Sequence, residues 1–226
     1  MDTPSDTIAG LIADLCGSDE TLRTQASFAL GVLGEPAVGP LIELLASPHS
    51  EVRKRAAWVL GVIGVPALPA LLRLAEGDDQ HLRIEAIRVL GVVGEARALN
   101  QLLAGLTDSD ERVAARAARA LGKIGDPRSY HPLVTALHHP SPDVRYEACR
   151  ALVDLRVPDA AEVLRERAAE DDSLTSWGAK VADAARRAAD EIASASAAPQ
   201  QDEQFARASA ILREQGRALD REGREG

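Results

Sequence analysis

The chain has 226 residues, enough for one elongated repeat domain or one to two globular ones, and aromatic residues make up only 3% of it. A core with so few rings has to be built from small aliphatic side chains, which suits helices packed in thin layers. The formal net charge of −9 opposes nonspecific capture of nucleic acid, and no apolar run approaches the roughly 20 residues that span a bilayer.

The opening segment, Met1-Asp2-Thr3-Pro4-Ser5-Asp6, is acidic and polar, without the basic and apolar regions of a signal peptide. Cys16 and Cys149 lie far apart and form no Cys-x-x-Cys pair, the usage of a reducing compartment. These features predict a soluble cytoplasmic protein. Residues 6–16, with Leu11-Ile12, predict a half repeat closing the N-terminal end.

From there the chain repeats itself. Leu-Gly recurs in Leu30-Gly31-Val32-Leu33-Gly34, Leu60-Gly61-Val62-Ile63-Gly64, Leu90-Gly91-Val92-Val93-Gly94 and Leu121-Gly122-Lys123-Ile124-Gly125, at spacings of 30, 30 and 31 residues. Eight residues before each Leu stands an aliphatic anchor, at Leu22, Val52, Leu82 and Val113, and Val144 with Leu152 extends the series to a fifth unit. Each unit predicts two helices. The first opens at a capping residue (Asp19, His49, Asp79, Asp110, Ser141), with His49 the poor fit and Ser47 or Ser50 as substitutes. It closes at the second Gly of the motif, where a left-handed turn is expected. Pro36, Pro66 and Pro127 then stand near the start of the second helix, where a missing N–H costs little. That helix carries the aligned pairs Leu41-Ile42, Leu71-Leu72, Leu102-Leu103 and Leu133-Val134. No unit buries its apolar stripes alone, so stability has to come from stacking on neighbours.

The run Asp-x-x-Val-Arg, then Ala-Leu-Gly-x-Ile-Gly, then Gly125-Asp126-Pro127-Arg128-Ser129-Tyr130-His131-Pro132-Leu133 resembles the HEAT-like repeats named after phycocyanobilin (PBS) lyases. The resemblance covers about residues 6–170. It implies an all-α solenoid of about five helical hairpins, and it leaves function open, because such repeats serve scaffolds, chaperones and a few enzymes.

In the fifth unit Arg156 replaces the closing Gly, at about 1 kcal/mol if the left-handed turn is kept. Residues 173–193 predict one Ala-rich capping helix with Leu174, Trp177, Val181, Ala184, Ala188 and Ile192 on one side. Three parts follow: an array at 1–172, a cap at 173–193, and a linker with a charged helical tail at 194–226. In the tail, Phe205, Leu212 and Leu219 mark an apolar stripe able to dock on a partner or on the array itself.

Several columns are candidate sites. Arg23, Arg53, Arg83 and Arg145, with Ala114 breaking the series, read as a structural ladder paired with Asp19, Asp79 and Asp110 in adjacent turns, in preference to an anion-binding ladder. Two residues before each Leu-Gly stand Phe28, Trp58, Arg88 and Arg119, with Arg150 in the fifth unit. Arg at this position implies access to solvent, so Phe28 and Trp58 are expected to be exposed on neighbouring helices as anchors for a protein partner. On the second helices, Gly39, Pro40, Glu43, Pro69, Arg73, Asn100, Gln101, His131 and Thr135 are expected to face the inner curve, a small-residue surface suited to a docked helix or extended segment. His131, His138 and Asp143 are the one metal set worth weighing, and their spacing fits no established ligand pattern. No catalytic constellation, phosphate loop or cofactor motif is evident. The function expected is a noncatalytic scaffold or assembly module holding another protein. The resemblance adds the alternative of bilin lyase or chromophore handling.

Overall fold

The computed structural model describes residues 4–195, so Phe205, Leu212 and Leu219 lie outside the described residues. Helix α1 (Pro4–Cys16) is the N-terminal half repeat. Five hairpins follow: α2 (Glu20–Leu33) with α3 (Glu35–Leu44), α4 (Ser50–Ile63) with α5 (Leu68–Ala75), α6 (Gln80–Val93) with α7 (Leu99–Gly105), α8 (Glu111–Ile124) with α9 (Tyr130–Ala136), and α10 (Pro142–Leu155) with α11 (Ala160–Glu170). A last helix, α12, spans 181–195. This is an all-α solenoid. Among the described residues no single helix is long and apolar enough to cross a membrane.

The local signals act much as the repeat predicts. The Asp19 carboxylate accepts from the Thr21 and Leu22 N–H groups, Asp79 from Leu82 and Asp110 from Arg112, which satisfies first-turn donors that have no helical partner. His49 and Ser141 hold the cap position without a side-chain bond, and the Ser47 hydroxyl accepts from the His49 N–H. The first four repeats close on a Gly with φ near +70°, at positions 34, 64, 94 and 125; Gly94 and Gly125 take the expected left-handed turn (ψ 15° and 18°), whereas Gly34 and Gly64 do not (ψ −129° and −127°). Arg156 keeps the left-handed turn of Gly94 and Gly125 at φ 54°, a conformation that strains a side chain. Pro36 enters α3 directly, whereas Pro66 and Pro127 open short 3-10 turns that precede α5 and α9.

One continuous core runs through the stack, with Leu30, Leu60, Leu90, Leu121 and Leu152 fully buried along the first helices. Leu41, Leu71, Leu102 and Leu133 fill it from the second helices. Of the anchors, Val52, Val113 and Val144 are buried and Leu82 half-buried, whereas Leu22 is 44% exposed.

The arginine ladder is structural, but its partners differ from those expected. Arg53 donates to the Ser47 and Pro48 carbonyls at 2.8 and 3.1 Å, Arg83 to Gly77 and Asp78, and Arg145 to His139 and Pro140. Arg23 does the same with Gly17 and Ser18. Each guanidinium therefore gathers loop carbonyls left at the end of the preceding unit. Arg83 also clasps Asp108, and Arg145 clasps Asp171 at 2.6 and 3.1 Å, each acid belonging to the next loop along the stack. Asp19, Asp79 and Asp110 are occupied as helix caps, and Asp110 pairs with Arg112.

Candidate protein-binding surface

The first Gly of each motif, inside the first helix, decides how the repeats stack. A Cβ added at Gly31 would meet the Val62 Cγ1 at 3.0 Å, and one at Gly61 would meet the Val92 Cγ1 at 2.6 Å. At Gly91 it would lie 2.7 Å from the Ala120 Cβ, and at Gly122 2.6 Å from the Ala151 Cα. Successive first helices thus approach one another more closely than side chains at these positions permit. The second helices lie further apart, with few backbone approaches between α5 and α7 or between α7 and α9, and a cleft of about 420 Å³ between α7 and α9 is lined by Leu103, Leu106, Pro132, Thr135 and His139 among others. A stack that is tight on one side and spread on the other curves towards the tight side. The inner face therefore belongs to the first helices.

This corrects the placement of the second-helix columns. Gly39, Glu43, Pro69, Arg73, Asn100, His131 and Thr135 are exposed, and Pro40 and Gln101 half-buried, but they stand on the outer, spread side. Gln101 reaches back to the Ala75 carbonyl at 3.5 Å, and His131 packs edge-on against Tyr130.

The aromatic column does reach solvent. Phe28 is 73% and Trp58 57% exposed, on α2 and α4. Ring contacts among the described residues are Tyr130–His131 and Tyr146–Trp177, so Phe28 and Trp58 stand side by side without stacking. Their counterparts are drawn down by acids: Arg88 onto Glu85, and Arg119 onto Asp154 at 2.5 Å. Beyond the column Val32, Val62 and Val92 are exposed on the same helices.

Residues 171–180 are not helical, contrary to the single capping helix expected over 173–193. A turn forms instead, with Leu174 paired to Lys180, the Thr175 N–H donating to the Ala179 carbonyl and Gly178 at φ 84°. Its seat is Asp143, which accepts from the Ser176 N–H at 2.7 Å and from the Ser176 hydroxyl at 2.6 Å. Trp177 is thereby held edge-on against Tyr146, with ring centroids 5.4 Å apart, while 54% exposed. It borders a hollow of about 270 Å³ together with Ile84, Ala115, Arg116 and Glu147, which come from α6, α8 and α10. The turn thus adds a third aromatic group to the first-helix face. Its sequence signal was the cluster of Ser173, Thr175, Ser176 and Gly178, all turn-forming residues.

Electrostatics on this face are mixed. Burial pushes the Glu147 carboxyl above the usual carboxylate range, against the pull of Arg150, Arg119 and Arg116. His138 meets the Arg167 guanidinium at 2.6 Å and Asp143 is held by Ser176, so the His131, His138 and Asp143 set is not assembled. Among the described residues no group of three or more His, Cys, Asp or Glu side chains converges. Burial also pushes the Cys149 thiol up to about 12, which removes it as a nucleophile at neutral pH.

The family profile for HEAT repeats matches residues 8–91, 37–113, 68–139 and 99–182. The chain belongs to the HEAT-repeat family. Among solved structures, this HEAT array is similar to the complex of CpcE and CpcF of phycocyanin lyase from Nostoc sp. PCC7120, at 24% identity and a TM-score of 0.60, covering 69% of this chain and 98% of that one. It is also similar to importin beta, at 16% identity and a TM-score of 0.55, covering 82% of this chain and 30% of that one. Identities this low show a shared fold. No curated protein matches the sequence.

Proposed function

We propose that this HEAT array is a noncatalytic interaction scaffold that holds a partner protein against its first-helix face, with Phe28, Trp58 and Trp177 as anchors. One observation carries the reading. The chain has two Trp and two Phe, yet both tryptophans and Phe28 stand more than half exposed on one face of the stack. Exposed rings on a rigid support are the usual high-energy contacts of protein interfaces, because they bury much area at little entropic cost.

Capture from native lysate followed by mass spectrometry tests this. A stoichiometric partner is expected with the parent chain and is lost on Trp58→Ala, with little change in melting because the ring is exposed. Arg73→Ala on the outer side is expected to retain it. Retention by Trp58→Ala with loss on Arg73→Ala would assign binding to the second helices instead.

A second reading, chromophore handling in the manner of the PBS lyase repeats, is supported by the likeness to the CpcE–CpcF complex. It requires a shifted visible band when bilin is added to the purified protein, and an unshifted spectrum removes it.

A further inference from the structure

We propose that residues 202–222 of the chain itself dock along the exposed valine row of the first-helix face and compete with partners for it. The proposal rests on the reading of that face as a docking surface. Val32, Val62 and Val92 occupy equivalent positions on α2, α4 and α6, beside Phe28 and Trp58, and all five are exposed. They form an apolar strip crossing three helices. The next position in the row is Lys123, where the strip turns basic. Arg119 is engaged by Asp154 and Glu147, whereas Lys123 makes no ion pair among the described residues.

The described chain ends at that same place. Ala195, the last residue of α12, lines a cleft of about 810 Å³ together with Gly122, Lys123, Arg156 and Glu191. The chain that follows therefore starts at the basic end of the strip. Its sequence runs in matching order, with Asp202 and Glu203 first, then Phe205, Ala208, Ile211, Leu212 and Leu219 at helical spacing. The lengths agree as well. From Ala195 to Asp202 an extended chain reaches up to about 25 Å. A helix from Phe205 to Leu219 is about 21 Å long, and two helix-to-helix steps from Val92 to Val32 cover about 16–20 Å. Acids against Lys123 and Arg156, and apolar groups against the valines, fix one direction of docking.

Acrylamide quenching of Trp58 in the full chain, made single-tryptophan by Trp177→Phe, reads the screening directly. Phe205→Glu with Leu212→Glu is expected to raise the quenching slope at least twofold, and a synthetic 202–222 peptide added to that variant is expected to restore it. Amide exchange within 202–222 is expected to be slowed, and to speed up at least tenfold on Val62→Asp. An unchanged slope, or unslowed exchange, overturns the proposal. A parent slope that varies with protein concentration also overturns it, and assigns the strip to a second copy of the chain. If Trp58→Ala leaves partner capture intact while the quenching result holds, the scaffold reading fails and the tail contact stands.

Discussion

The closest approach in the stack gives the sharpest stability prediction. In Gly122→Ala the new Cβ falls 2.6 Å from the Ala151 Cα, 2.8 Å from its Cβ and 3.1 Å from its carbonyl oxygen. Carbon atoms rest comfortably about 3.5–4.0 Å apart, so α8 and α10 have to separate by about 1 Å along this edge. Overpacking costs about 1–3 kcal/mol, and the upper half of that range applies because main-chain atoms cannot swing aside. Ala gains about 0.8–1 kcal/mol over Gly inside a helix. The net loss is roughly 1–2 kcal/mol, a fall in Tm of roughly 2–8 °C for a chain of this size. Gly10→Ala is the control: nothing lies within 4 Å of its Cβ, so the propensity gain stands alone and Tm rises. Gly31→Ala falls between, since it meets only the tip of the exposed Val62 side chain. Calorimetry of the three variants checks the order. A Gly122→Ala protein melting at or above the parent would refute the argument that main-chain contact sets the spacing of the first helices.

Arg156→Gly relieves the left-handed turn at φ 54° and is expected to stabilise the fold by about 1 kcal/mol in urea titration. Leu60→Ala empties a fully buried site in the continuous core, with an expected loss of about 2–5 kcal/mol read by the same titration. Arg145→Ala leaves the buried Asp171 carboxylate only the more distant Arg167 guanidinium, at 4.0 Å, with an expected loss of about 3–5 kcal/mol at neutral pH. Burial alone would raise the Asp171 carboxyl, but bonds from Arg145 and Ser173 outweigh it and hold it below the usual range. A depressed folded value means that this stabilisation is complete above the unfolded value of about 3.9 and is lost as pH falls through the folded one. The gap between parent and Arg145→Ala therefore narrows in acid, and a gap independent of pH refutes the assignment.

Much of this fold can be read from residue spacing because each repeat states its own boundaries. Asp19, Asp79 and Asp110 cap, Gly34, Gly64, Gly94 and Gly125 close, and the Leu series fills the core as its periodicity requires. Exposure of Phe28 and Trp58 follows from the arginines at equivalent positions. Which side of the stack is inner was not legible. It depends on the separation between helices of different repeats, set at Gly31, Gly61, Gly91 and Gly122, and a linear pattern shows these glycines only as breaks in an apolar run. The place of Trp177 is not legible for a related reason: its apolar spacing with Val181 and Ala184 imitates a helix. Its true position is fixed by Asp143, more than 30 residues upstream in the chain, whose carboxylate takes both donors of Ser176.

The graded contacts between first helices make the array a leaf spring clamped at one end. Bending between α8 and α10 compresses main chain against main chain, whereas bending between α2 and α4 only turns the tip of a valine. By this contact pattern the first two repeats, which carry Phe28 and Trp58, offer the least steric resistance to bending, and Trp177 sits at the more closely packed end. Under the proposed scaffold reading, a gap between the anchors that opens or narrows by this route would let one surface grip partners of different girth without unfolding any repeat.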